Sequence, residues 1–201
     1  ANRNKKIRVL IEGAGNVNFK RVDFAFSVTN HFDNIEVWYV STDGHAEGHW
    51  RYDKLFKSLP YKEMPSIYRS CDILVKFSTV EGFFGPPLEM MACGGVCLVG
   101  NVTGFDEYIT DEFNALVIEL DDKEQAINSL SRLIKDKSLR VKLSENGIST
   151  AQSMDWTDRC KLFEDAIFSL TKRTQVITTQ DKLDILLNRS MLETLWKAQS
   201  A

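Results

Sequence analysis

The chain has 201 residues, of which 43% are hydrophobic and 26% charged, with 11 Gly, 4 Pro and a formal net charge of −3. This is the composition of a soluble globular protein, and a chain of this length buries roughly 70% of its unfolded surface without needing staples. The acidic balance excludes a general nucleic-acid binder. No apolar run reaches the ~18 residues of a membrane span, and the start, Ala1-Asn2-Arg3-Asn4-Lys5-Lys6, lacks the apolar stretch of a secretory signal.

Ile7-Arg8-Val9-Leu10-Ile11 is a short apolar, β-branched run stopped by Gly13-Ala14-Gly15-Asn16, which reads as a first, central strand. Helical spacing follows from Lys20 to Phe32 through Val22, Ala25 and Phe26. Ile35 to Val40 is a second strand, and a polar loop runs on to about Tyr52. Lys54 to Lys57 is a weaker third strand, Met64 to Ser70 one or two helical turns, and Asp72 to Phe77 a further strand. After a Gly-rich loop, Pro87 to Cys93 is a short helix with prolines at its start, where they are tolerated. Val96 to Val99 and Ala115 to Ile118 are strands, with a helical turn at Phe105 to Ile109 between them.

Beyond Ile118 the pattern is helical. Ala126, Ile127, Leu130, Leu133 and Ile134 form one amphipathic face, a second helix runs from about Ser138 to Ser149, and Trp156, Cys160, Phe163, Ile167 and Leu170 share the stripe of a third, which Asp155 can cap. Thr171 to Gln180 reads as a linker and Leu183 to Leu195 as a last amphipathic helix. Apolar strands alternating with helices imply a doubly wound parallel α/β sheet of Rossmann-like type, with ligands beyond the carboxyl ends of its strands.

The strongest local signal is Glu81-Gly82-Phe83-Phe84-Gly85-Pro86-Pro87-Leu88-Glu89. Two carboxylates flank a Gly-rich loop that opens a helix. Free N–H groups from Phe83 to Gly85 suit a phosphate, and carboxylates accept hydrogen bonds from vicinal hydroxyls. Together they describe a sugar-nucleotide site, against the simpler reading of a Gly-Pro turn with two solvated glutamates. Gly13-x-Gly15 invites a dinucleotide reading, but Asn18 stands where G-x-G-x-x-G needs its third glycine. His45 and His49 lie four apart, but Gly44 and Gly48 make that segment a loop, so no metal site is expected. Cys71, Cys93, Cys97 and Cys160 form no CxxC pair and read as free thiols of a reducing compartment.

Ser78-x-x-Glu81-Gly82-Phe83 and Pro86-x-Leu88-Glu89-x-Met91-Ala92-Cys93-Gly94 resemble the E-x7-E signature of retaining glycosyltransferases of the GT-B fold, the glycosyl transferases group 1 family. The resemblance extends through Pro60, Met64-Pro65, Tyr68, Cys71-Asp72-Ile73, Gly104-Phe105-Asp106-Glu107, Asn114-Ala115-Leu116-Val117 and Trp156. It implies the C-terminal, donor-binding half of such an enzyme. Residues 1–173 would be the nucleotide-sugar domain, and 174–201 a linker and helix packing on an N-terminal half that this chain lacks. The absence of Met at position 1 agrees with a chain cut from a longer protein.

By the same resemblance Glu89 holds the ribose hydroxyls and Glu81 is the catalytic carboxylate at the transferred sugar. The backbone of Gly82, Phe83, Phe84 and Gly85 lines the sugar and diphosphate, Lys20 neutralises the diphosphate, Gly13 and Gly15 lie against the donor, and the segment from Ser58 to Tyr61 lies beside the base. The implied partners are a UDP-, GDP- or dTDP-sugar and, through the missing half, a glycan or glycolipid acceptor, with no cofactor or metal. The implied location is the cytoplasm, with a peripheral membrane contact open to the full protein. Two departures stand out: no Arg follows the first strand, and Phe84-Gly85 replaces the common Gly-Leu pair. They keep open a different class, a non-catalytic nucleotide-sugar-binding or scaffold module.

Overall fold

An apolar run that must be covered on both faces ends up in the middle of a sheet, and β1 (Ile7–Gly13) does so: it pairs in parallel with β2 (Ile35–Ser41) on one side and β4 (Ile73–Lys76) on the other. The computed structural model describes residues 6–172. β3 (Lys54–Lys57) extends the sheet beyond β2, and β5 (Val96–Gly100) and β6 (Leu116–Ile118) extend it beyond β4, giving the all-parallel order β3-β2-β1-β4-β5-β6. This is the doubly wound, Rossmann-like sheet that the alternating pattern implies.

Successive strand residues point to opposite faces. Val9, Ile11, Val37, Tyr39, Ile73 and Val75 share one core with α1 (Val22–Thr29) and α4 (Lys123–Lys135), through Phe26, Leu130 and Leu133. Leu10, Trp38, Val40, Leu74, Cys97 and Val99 share the other with α2 (Met64–Tyr68) and α3 (Gly85–Ala92), through Tyr68, Met90 and Met91. Asp122 caps α4 by accepting from the Gln125 N–H at 2.9 Å, and Asp136 caps α5 (Lys137–Ser153) by accepting from the Leu139 N–H at 2.9 Å. Helix α5 lies close on α3 because Gly147 has no side chain: a Cβ there would stand 3.0 Å from Met91 Cγ.

The segment after β2 differs from a plain polar loop. Trp50 is buried and stacks on Phe26 at 4.9 Å between centroids, and Tyr39 meets both rings edge-on. Phe105 to Ile109 is a single turn closed by Ile109 N–H to Phe105 O at 3.0 Å. Cys71 and Cys97 are buried thiols and Cys93 is half-buried, whereas Cys160 is exposed. The packing divides the chain at Asp155: one compact unit ends there, and α6 (Trp156–Lys172) belongs to a second. On α6 the expected stripe is open to solvent at Trp156, Phe163 and Ile167. The linker and last helix expected in 174–201 lie outside the described residues. No helix among the described residues is long and apolar enough to cross a membrane.

Leu74 sits in β4 between β1 and β5 with no solvent exposure. Leu74→Ala should cost about 2–5 kcal/mol of stability, read in urea titration as a lower midpoint with an unchanged slope.

Candidate functional site

The chain order reverses between β1 and β4, so the loops leaving these strands part and open a crevice at the carboxyl edge of the sheet. The residues that close the strands differ from the apolar row beneath them. Register places Phe56 beside Val40, Val40 beside Glu12, and Lys76 beside Val99. Glu12 and Lys76 meet in the middle of that row, with Lys76 Nζ 2.7 Å from Glu12 Oε2 and 3.0 Å from the Glu12 main-chain O. Above them lies a cavity of about 240 Å³, lined by Glu12, Thr42, Ser58, Tyr61, Tyr68 and Glu89, among others.

On one side of the crevice stands Lys20, which ends a 3-10 turn at Asn18–Lys20 and donates to Glu81 Oε1 at 2.8 Å. The two residues are 61 positions apart. Their loops are tied by Thr79 N–H to Phe19 O at 2.8 Å. From the other side the loop after β5 braces the same backbone. Thr103 Oγ1 donates to Glu81 O at 3.2 Å. Gly104, at φ +78, lies so close that a Cβ would stand 2.6 Å from Gly82 O.

The entry to α3 is a tight turn at Phe84, whose φ of −81 and ψ of 69 are those of an inverse γ-turn. Gly85 N–H donates to Phe83 O at 2.9 Å across it. The Phe84 ring is fully buried, and the Tyr108 hydroxyl donates to the Phe84 carbonyl. The Phe84 ring therefore belongs to the core, and the Gly85 N–H is already taken. Among the described residues none accepts from the N–H groups of Gly82, Phe83 or Phe84. Pro86 and Pro87 contribute no N–H to the start of α3.

The loop after β1 has an internal anion. Asp43 accepts from Gly15 N–H at 3.1 Å, Asn16 N–H at 2.9 Å, the Ser41 hydroxyl at 2.9 Å and His45 N–H at 3.0 Å. Desolvation raises the Asp43 pKa, but these hydrogen bonds outweigh it and hold the carboxyl well below the usual range. Gly15 is there for packing: a Cβ would stand 2.9 Å from the Tyr39 hydroxyl. At Gly13 a Cβ would lie 3.1 Å from Val22 Cγ2 and 3.9 Å from Lys76 Nζ. Arg21 is paired with Asp121 at 2.5 Å and stacks on Phe24, so it does not replace the Arg missing after β1.

Glu89, on α3, accepts from the Tyr61 hydroxyl at 2.6 Å, which raises the Tyr61 pKa. Tyr68 is raised by burial and then by the Glu12 and Glu89 carboxylates. Ser58, at φ 48, donates its N–H to Ser41 O at 2.9 Å and reaches the same cavity. His45 pairs with Glu47 at 2.8 Å and His49 packs on Trp50. Among the described residues no three His, Cys, Asp or Glu stand together as a metal site. A shallower hollow of about 500 Å³ lies away from this crevice, lined by Arg69, Cys93, Lys137 and Arg140 among others.

Residues 53–150, which carry β3 to α5 with both glutamates of the motif, match the family described as Glycosyl transferases group 1. Over that stretch the chain is similar to the glycosyl transferases group 1 family. The chain is 28% identical over 160 residues to an uncharacterised glycosyltransferase of Methanocaldococcus jannaschii, covering 78% of this chain and 42% of that protein. It thus spans less than half the length of this relative. Among solved structures it superposes on the C-terminal domain of a glycosyl transferase group 1 family protein from Francisella tularensis with TM-score 0.59 and 21% identity, covering 73% of this chain and 85% of that one. The Anabaena protein HepE, solved in complex with UDP-glucose, matches with TM-score 0.69 and 15% identity over 80% of this chain and 48% of its own. These likenesses show a shared fold, here one half of the longer structure.

The structure brings Lys20 to Glu81, and Glu89 and Ser58 to one cavity, while Gly13 ends β1 and Gly15 stands in the loop after it. Motif reading does not single out Glu12, Asp43 or Thr103, since each acts through a partner distant in sequence or through a loop with no signature; it places Tyr61 beside the base but not its hydrogen bond to Glu89.

Two outcomes are expected. The Asp43 pKa lies below its unfolded value near 3.9, so the stability it contributes is present above about pH 4 and lost as pH falls further. Asp43→Asn should flatten that acid limb in thermal melts taken between about pH 5 and pH 2. Gly104→Ala meets both a positive φ and the Gly82 carbonyl, and should destabilise by about 1 kcal/mol or more, read as a lower melting temperature.

Proposed function

We propose that this chain is the donor-binding half of a retaining glycosyltransferase that takes a sugar from a nucleotide sugar. The observation that carries the reading is the set of internal partners in the crevice. An anion, Glu81, sits on Lys20; a second anion, Asp43, sits on the N–H groups of Gly15 and Asn16; and a hydroxyl, Tyr61, sits on Glu89. A nucleoside diphosphate sugar carries the same two chemistries, anionic phosphates and vicinal hydroxyls, joined in one molecule. The family match and the likeness to a structure holding UDP-glucose support the same class of ligand, a nucleotide sugar.

In this reading Glu89 exchanges the Tyr61 hydroxyl for those of the ribose, and Lys20 exchanges Glu81 for the diphosphate. The N–H groups of Gly82, Phe83 and Phe84 add fixed donors, which stabilise charge as it develops on the leaving diphosphate. Released from Lys20, Glu81 is the carboxylate nearest the transferred sugar. The sugar is a hexose or deoxyhexose and the acceptor a glycan or glycolipid held by the other half of the enzyme, which works in the cytoplasm or at the inner membrane face. The diphosphate charge is met by Lys20 and main-chain N–H groups, without a metal.

A second reading, a nucleotide-sugar-binding or scaffold module without turnover, is favoured by the engagement of Arg21 with Asp121, which leaves the place of the missing Arg unfilled. Sugar transfer by the full-length protein separates the two readings.

A ligand that binds only the native state raises the melting temperature. Titration with UDP, GDP, dTDP and ADP, with NAD as control, should give a base-selective rise. Glu89→Ala should weaken that binding about tenfold or more, the loss of a charged hydrogen-bond partner. Glu81→Ala should bind nucleotide no more weakly, because it frees Lys20, yet lose most turnover in the full-length enzyme. Normal turnover by Glu81→Ala would remove its catalytic role.

A further inference from the structure

The roles above leave out one carboxylate that lines the cavity, Glu12. Glu12 follows the apolar run Val9-Leu10-Ile11 on β1, and Lys76 follows Ile73-Leu74-Val75 on β4. Both continue the face that carries Leu10 and Leu74, and they meet at the strand pair where the chain order reverses. The Lys76 side chain is 2% exposed and that of Glu12 10%. Taking two charges out of water is costly, and an apolar pair of similar volume would serve the core as well or better. A buried pair at this place is therefore weak evidence of a purely structural role.

The hydrogen bonds are unevenly shared. Lys76 Nζ is engaged by Glu12 Oε2 and by the Glu12 main-chain O. Among the described residues Glu12 Oε1 accepts from no protein group, and Glu12 lines the 240 Å³ cavity with Ser58, Tyr61, Tyr68 and Glu89. Lys76 thus fixes the direction of a carboxylate that keeps accepting capacity toward the cavity. A carboxylate is an acceptor only, so whatever part of a ligand meets it must donate.

We infer that Glu12 is a specificity-determining acceptor that selects guanine over uracil, thymine and adenine in the nucleotide ligand, with Lys76 as its positioning residue. This rests on the donor-binding reading, in which Glu89 takes the ribose hydroxyls and leaves the base as the next group along the cavity. Guanine presents two adjacent donors, N1–H and the N2 amino group, which fit the two oxygens of one carboxylate. Uracil and thymine set a single N–H between two carbonyl oxygens, whose lone pairs would face the carboxylate. Adenine has one amino donor beside a bare ring nitrogen. The hydroxyls of Thr42 and Ser58, which also line the cavity, can donate or accept and so serve the remaining base edge.

The test is calorimetric titration of the full chain with GDP, UDP, dTDP and ADP, in wild type and in Glu12→Gln. The amide keeps the side-chain shape and one acceptor for Lys76, while replacing the other acceptor with a donor. GDP should bind the wild type about tenfold to a hundredfold more tightly than UDP, the discrimination expected of one bidentate base contact. Glu12→Gln should lose about tenfold or more toward GDP while UDP binding is unchanged or improved. The wild-type order alone decides the matter if the variant does not fold. Preference for UDP, dTDP or ADP overturns the guanine assignment and leaves the donor-binding reading standing. Equal loss toward all four in Glu12→Gln also overturns it, since Glu12 would then be meeting a group that all four share. Binding of no nucleotide overturns the donor-binding reading itself.

Discussion

Right-handed crossover between parallel strands governs this molecule. Winding outward from β1 through β2 to β3 and then returning to lay β4 on the other side of β1 places helices on opposite faces of the sheet. The loops that leave β1 and β4 must then diverge. The crevice follows from that divergence, before any side chain is considered. The row of residues at its floor passes from Phe56 and Val40 through Glu12 and Lys76 to Val99, so the sheet turns polar only where the loops part. The chemistry of the site is laid over that geometric necessity.

The crevice also satisfies part of itself. Three of the sets of groups suited to a ligand already have a protein counterpart of matching character: a carboxylate for an ammonium, a carboxylate for two main-chain N–H groups, a phenol for a carboxylate. Unsatisfied charges in a half-buried cleft are expensive, and these pairings lower that cost in the free protein. They set the terms for a ligand as well, which must replace the internal partners and gains only the difference. Hydrogen bonds near Lys20 and Glu89 therefore count as exchanges and not as additions when affinity is considered.

Much of the architecture was legible because strands covered on both faces read as unbroken apolar runs. β1, β2, β4 and β5 lie within about two residues of their expected ends. β3 was faint for a physical reason: it is an edge strand whose terminal lysines are exposed, so burial imposes little pattern. Trp50 is not marked by its surroundings, because its place in the core depends on Phe26 and Tyr39, which the local sequence around it does not reveal. In the site, Glu81, Glu89 and Lys20 stand in recognisable spacings. Asp43 and Tyr61 do not, since their partners lie 27 or 28 positions away. Lys76 and Glu12 each close an otherwise apolar strand, a signal that marks both in the sequence.

The contact between Gly104 and the Gly82 carbonyl joins two loops that leave different strands. With Thr103 holding the Glu81 carbonyl as well, the backbone on both sides of that glutamate is braced by the turn after β5. The two loops consequently behave as one mechanical part. A tilt of the β5 turn cannot be absorbed at the glycines, because no slack separates them, and it passes directly to the chain that carries Glu81. The stiffness of the motif loop is thus borrowed from a turn about twenty residues downstream in the sequence.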